Sequence, residues 1–230
     1  MDNSFKFGNR NNGSSESRQF NRTSIEQEEM IALLTKRGIR DERLLRAMKL
    51  VDRREFVQEL FSNRAYDDSA LPIGSAQTIS QPYTVAFMTE CLEISEGDKI
   101  LEIGTGSGYQ AAILVEMGAR VFTIERHMNL LNEARKRFDK HKYQIVSKCG
   151  DGTIGWKEFA PFKGIIVTAG APDIPDPLLD QLADGGLLVI PIGDMEIQNL
   201  QVIRRVNGKY EAKEISGFKF VPLIGKKGWK

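Results

Sequence analysis

The chain is poor in the residues that make covalent or metal scaffolds. Among 230 residues there are 2 cysteines and 2 histidines. Cys91 and Cys149 lie far apart, in no C-x-x-C pair and with no companion histidines. That excludes a disulfide framework and predicts two reduced, buried thiols and no metal site. His127 and His141 flank one helical segment and read as surface residues, so neither supplies a general base. No apolar run approaches the roughly 20 residues that span a bilayer. The first residues, Met1 to Asn21, lack the apolar core of a secretory signal, so a cytoplasmic location is expected and a membrane partner is not. Charge of one sign is missing as well: 32 basic residues oppose 31 acidic ones, for a net +1. A dedicated nucleic-acid binder would be one-sidedly basic, so nucleic acid is excluded as a partner.

What remains is an ordinary core-forming chain, 41% hydrophobic and long enough for one sizeable α/β domain. Residues 1–23 are polar and rich in Asn, Ser, Gly and Arg, which predicts a disordered tail. Residues 24–230 read as a single domain. Ser24-Ile25-Glu26-Gln27 fits a capping box opening a helix that carries Met30, Ile31, Leu33 and Leu34 and stops at Gly38. Asp41 can cap a second helix, and Arg53 to Phe61 adds a third helical segment. Residues 24–92 thus form a helical elaboration with a loop, and 93–230 an α/β core. In the core, strand candidates Lys99–Ile103, Arg120–Ile124, Gln144–Lys148, Gly164–Thr168 and Gly186–Ile190 alternate with helical segments Tyr109–Met117, Met128–Asp139 and Pro177–Ala183. Such alternation predicts βαβ units and a mostly parallel sheet flanked by helices. Leu200 to Val206, Asn207-Gly208 and Lys209 to Ile215 predict an antiparallel hairpin with a type I′ turn. Phe218 to Ile224 predicts one more strand.

The richest motif is Leu101-Glu102-Ile103-Gly104-Thr105-Gly106-Ser107-Gly108-Tyr109. A short apolar strand meets three glycines and passes into a helix, the construction that lets a backbone approach a ligand closely. Its G-x-G-x-G spacing is looser than the dinucleotide fingerprint, so alone it indicates a nucleoside-type ligand. Glu125 ends the second strand about twenty residues on, where a carboxylate can accept from both ribose hydroxyls. Gly150-Asp151-Gly152 ends the third, where Asp151 can accept from an exocyclic amine such as adenine N6. No phosphate loop of the G-x-x-x-x-G-K-[ST] type accompanies them. The pattern resembles the Rossmann-like class I methyltransferases, whose cofactor is S-adenosyl-L-methionine.

Upstream lies Leu71-Pro72-Ile73-Gly74-Ser75-Ala76-Gln77-Thr78-Ile79-Ser80-Gln81-Pro82. Prolines bracket it, and Gln77, Thr78 and Ser80 offer neutral hydrogen bonds. This segment is very similar to the P-x-G-x-G-Q-T-I-S-x-P signature of bacterial protein-L-isoaspartate O-methyltransferases. Phe162 to Pro172, Gly185 to Gly193 and Phe220-Val221-Pro222-Leu223 agree, so the resemblance runs from about Ile25 to Leu223. Ala76 departs from the usual glycine, and Lys219 stands where relatives often carry arginine.

The resemblance implies methyl transfer from S-adenosyl-L-methionine to the α-carboxylate of L-isoaspartyl residues in damaged proteins and peptides, the first step of their repair. Ser80 is implied as the catalytic hydroxyl nearest the carboxylate, with Thr78, Leu223 and Ile224 also on the substrate. Gln77, Thr78, Ser80, Glu102, Gly104, Thr105, Gly106, Ser107, Glu125, Arg126, Asp151 and Gly152 are implied for the cofactor. A carboxyl with a pKa of about 4 is already ionised at neutral pH, so no base is required, in keeping with the scarcity of histidine. Neutral donors orient such a carboxylate without overstabilising it before reaction. No G-x-S-x-G elbow makes Ser80 a nucleophile. Other readings are a methyltransferase for another aspartyl-type carboxylate and a non-catalytic adenosyl-binding module. Nucleic-acid aminomethylases commonly place [DN]-P-P-[YF] after the fourth strand, where this chain has Thr168-Ala169-Gly170-Ala171-Pro172. With no apolar stripe evident, a monomer is expected.

Overall fold

The computed structural model describes residues 13–230, with side chains described from residue 25 onward. The expected tail disorder therefore falls in part on residues 1–12, outside the described residues. The first helix, α1, runs Gly13–Lys36, so Ser24 is an interior position and not the helix start. No proline or further glycine interrupts residues 14–36, and a helix once nucleated propagates through such a run. Its other end is as expected: the N–H groups of Gly38 and Ile39 reach back to Thr35 and Leu34 carbonyls in a Schellman closure. Asp41 caps α2 (Glu42–Leu50), accepting from Arg43 N at 2.8 Å and Leu44 N at 3.1 Å. The third segment is not an α-helix but two 3-10 turns, Arg53–Phe56 and Glu59–Arg64. They bury Phe56 and pack Phe61 against the same core, while Leu60 is left 80% exposed.

The loop before residue 82 is a small antiparallel hairpin, β1 (Leu71–Gly74) with β2 (Gln77–Ile79), and α3 (Pro82–Glu90) follows it. Then come β3 (Lys99–Ile103), α4 (Tyr109–Glu116), β4 (Arg120–Glu125), α5 (Met128–His141), β5 (Ile145–Cys149), β6 (Phe162–Val167), α6 (Asp176–Asp180) and β7 (Leu182–Gly193). The chain ends in the expected hairpin of β8 (Gln198–Val206) and β9 (Lys209–Phe218). Asn207 and Gly208, at φ 50° and 75°, give its primed turn. Phe218 ends β9, and no separate strand forms over 219–224. There the backbone turns to Gly170, whose N–H donates to Val221 O and whose carbonyl accepts from Leu223 N, on either side of Pro222, which has no N–H to give.

The main sheet has the order β5-β4-β3-β6-β7-β8-β9, parallel through β7 and antiparallel beyond. Alternating side chains feed two cores. Ile100 joins the cluster with Leu44, Val85 and Ile113, while Leu101 and Ile103 join Phe122, Ile165 and Leu178 on the other face. Strand order reverses at β3, with β4 on one side and β6 on the other. Ligands of open parallel sheets lie outside the carboxyl ends of the strands at such a point. Among the described residues no helix is long and apolar enough to cross a membrane.

Candidate active site

At that carboxyl edge the chain leaves β3 through Gly104–Gly108 and enters α4. Gly104 sits at φ +96°, and a Cβ there would stand 2.3 Å from Thr168 Oγ1. Only glycine meets both demands. The loop is held from both neighbouring strands: Gly104 N donates to Ile124 O, and Thr168 Oγ1 donates to Gly104 O, both at 2.8 Å. Glu125, 5% exposed at the end of β4, accepts from Gly106 N on Oε2 and from His127 N on Oε1, each at 2.9 Å. Each oxygen keeps a second lone pair, so the carboxylate can still receive a diol.

These residues line a cleft of about 910 Å³, counting the part open to solvent, a size suited to a small-molecule cofactor. The hairpin covers one side with Gln77, Thr78 and Ser80; α3 adds Val85 and Met88; the C-terminal segment closes the other side with Leu223 and Ile224. Thr105, Ser107, Arg126 and Gly152 also face it. The donor set fits an adenosyl cofactor: a glycine-built floor, a carboxylate beside it, and apolar walls for a base.

Two expected residues are placed differently. Glu102 is fully buried under the floor and does not line the cleft. It heads a hydroxyl chain in which Thr105 Oγ1 meets Thr123 Oγ1 at 2.6 Å and Thr123 Oγ1 donates to Glu102 Oε2 at 2.5 Å. Its other oxygen, Oε1, is buried with no protein partner. Burial pushes its carboxyl up to about 8, against the Thr123 hydrogen bond and with help from the Glu125 charge. Asp151 is the second. Its Oδ1 accepts from Thr153 N and Oγ1, at 2.9 and 2.7 Å, and its Oδ2 from Lys226 N at 2.8 Å. Burial raises its carboxyl, but those bonds together outweigh the burial and hold it below the ordinary aspartate range. Asp151 thus ties the third strand's end to the C-terminal segment, while its neighbour Gly152 faces the cleft.

His127, expected on the surface, is half-buried in the cleft wall, and His141 is half-buried between Phe56 and Tyr143. The two cysteines are free thiols, each only half-buried. Thr168 and Ala169 also line the cleft, outside the expected site residues, although their place at the end of the fourth parallel strand is a usable signal. Val85 and Met88 had none, because α3 is apolar nearly all round and shows no helical stripe.

Comparison with known proteins agrees with this construction. Residues 25–228 match the family model for protein-L-isoaspartate(D-aspartate) O-methyltransferase. The chain is 51% identical to the protein-L-isoaspartate O-methyltransferase of Salinibacter ruber, over 86% of this chain and 91% of that one. It is 53% identical to that of Geobacter metallireducens, over 84% and 90%. Among solved structures, a Plasmodium falciparum chain described as a candidate enzyme of this kind, in complex with S-adenosyl-L-homocysteine, superposes with a TM-score of 0.76 at 26% identity, over 86% of this chain and 98% of that one. This chain therefore belongs to the protein-L-isoaspartate(D-aspartate) O-methyltransferase family.

Proposed function

We propose that the hairpin residues Gln77, Thr78 and Ser80 present an isoaspartyl carboxylate to a cofactor seated on the glycine floor, with Ser80 as the orienting hydroxyl. The chain is an S-adenosyl-L-methionine-dependent protein-L-isoaspartate O-methyltransferase, which acts in protein repair. When bound, the cofactor supplies an electrophilic methyl group on a sulfonium. Glu125 accepts from its ribose diol, Gly104 to Gly106 and Ser107 approach its backbone-like end, and Gly152 and Arg126 border the base. Leu223 and Ile224 flank the peptide.

The observation that carries this reading is the meeting of Gln77–Ser80 and Gly104–Ser107 in one cleft. The hydroxyl-bearing segment needs no charged clamp, because its carboxylate arrives ionised and reacts by charge neutralisation. Positioning and exclusion of water do the rest. The near-neutral net charge favours protein substrates over nucleic acid, and the same composition favours a cytoplasmic monomer.

The variant Ser80→Ala tests it. Turnover on an isoaspartyl peptide falls about 100-fold, as for removal of one orienting donor. The calorimetric affinity for S-adenosyl-L-homocysteine stays within about twofold, because only the acceptor side has lost a contact. Wild-type turnover in this variant would remove Ser80 from the role.

A further inference from the structure

Among the described residues Arg53 is the largest fully buried side chain, at 0% exposure, and nothing in the cofactor or peptide assignments uses it. It opens the first 3-10 turn and lies between the helical elaboration and the core. Its Nε donates to Ala65 O and its Nη2 to Ser80 O, both at 2.8 Å. Its guanidinium carbon stands 4.8 Å from the centroid of Tyr109, the first residue of α4 after the glycine loop. One planar cation thus touches the exit of the substrate hairpin and the entry of the cofactor helix.

Burying a cation is costly, and a position needing only bulk is served as well by an apolar side chain. A guanidinium offers what an apolar group or an ammonium cannot: a rigid fork reaching two carbonyls on separate segments while its face lies on a ring. The Ser80 carbonyl has special value as an anchor. The chain changes from β2 to α3 across Ser80 and Gln81, and Pro82 at the head of the helix cannot donate an N–H to help. Fixing this peptide plane fixes the direction in which the Ser80 side chain leaves the backbone. The hairpin itself supplies little rigidity, since β2 is three residues long and its turn residues Ser75 and Ala76 both lie at positive φ.

We infer that Arg53 is a positioning residue for methyl transfer, holding the Ser80 backbone in register with Tyr109 and hence with the glycine floor. Its effect falls on the alignment of acceptor with donor and not on the affinity for either alone. This inference rests on the assignment of Ser80 above.

The test pairs Arg53→Lys and Arg53→Gln with Ser80→Ala. Each variant is measured for kcat and KM on an isoaspartyl peptide, S-adenosyl-L-homocysteine affinity by calorimetry, and thermal melting. Lysine keeps a buried cation but cannot reach Ala65 O and Ser80 O together, so kcat in Arg53→Lys falls about 100-fold, the scale of an ångström-sized misplacement. Cofactor-product affinity stays within about twofold and KM changes less than kcat. Arg53→Gln falls at least as far. Wild-type kcat in Arg53→Lys with an impaired Ser80→Ala overturns the role of Arg53 and leaves that of Ser80 standing. Wild-type turnover in Ser80→Ala overturns the Ser80 assignment and this inference with it. Loss of the melting transition in both arginine variants, or a parallel loss of S-adenosyl-L-homocysteine affinity, makes Arg53 a structural residue only and also overturns the inference.

Discussion

The two loops that meet in the cleft are built on opposite principles. Between β3 and α4 every positive φ belongs to a glycine: Gly104 at 96°, Gly106 at 52° and Gly108 at 90°. Between β1 and β2 the turn places Ser75 at 51° and Ala76 at 55°, a region that costs a residue with a Cβ about 1–2 kcal/mol. The floor is therefore relaxed as folded, and is clasped by bonds from β4 and Thr168. The hairpin stores strain and depends on outside holds, Arg53 at Ser80 and Asn129 Nδ2 donating to Ser75 Oγ at 2.8 Å. A preformed floor suits a constant cofactor, and a tethered hairpin suits peptide substrates whose flanking sequences vary.

The comparison breaks most sharply at Gly104. Gly104→Ala places a Cβ against Thr168 Oγ1 at an unfavourable φ. S-adenosyl-L-homocysteine affinity falls by more than about 100-fold and stability by about 2–3 kcal/mol, read by calorimetry and denaturant melts. An unaffected affinity would mean that the floor does not touch the ligand.

Glu125→Ala comes next, with cofactor affinity down about 10- to 100-fold because a ribose diol loses a charged acceptor. The peptide KM at saturating cofactor changes far less. Equal losses on both sides would erase the division between the two loops.

A third effect lies beneath the floor. Glu102 holds its proton up to about pH 8 in the folded chain, whereas an unfolded glutamate releases it near 4.3. The native state binds the extra proton between these values, so its contribution to stability is complete below the unfolded pKa and is lost as pH rises toward 8. Glu102→Gln removes that slope. Relative to wild type it gains about 2 kcal/mol between pH 6.5 and pH 8.5, measured by urea unfolding at each pH. Parallel stability curves for the two proteins would contradict a neutral Glu102.

The smallest effect sharpens the comparison from the hairpin side. Ala76→Gly relieves the turn and raises stability by up to about 1 kcal/mol, net of the added freedom of the unfolded chain. A lower melting temperature would show that the turn is not strained.

Local signals made the parallel core legible. The bounds of β3 follow directly from Lys99 to Ile103, where an apolar run stops at a glycine, and α4 and β4 follow with it. Legibility failed where distant partners decide. The strand β7 extends from Leu182 to Gly193, beyond the apolar core Gly186–Ile190, because β6 and β8 supply ladder partners along its length. The hairpin at residues 71–79 was hidden because its turn uses Ser75 and Ala76 instead of the residues that tolerate positive φ. The position of Asp151 depends on Lys226 N, 75 residues away, and a backbone donor has no sequence signature. Arg53 was invisible for the same reason: its partners are carbonyls, which every residue possesses.

The central claim is that the cleft receives an isoaspartyl carboxylate, and paired peptides test it most directly. One peptide is made twice, with L-isoaspartate and with L-aspartate at the same position, and methyl-ester formation is read as released methanol at saturating S-adenosyl-L-methionine. The account predicts a kcat/KM at least about 100-fold higher for the isoaspartyl form, as expected of a site that recognises its acceptor by placed hydrogen bonds. Equal rates on the two peptides, or methylation of neither, would contradict it.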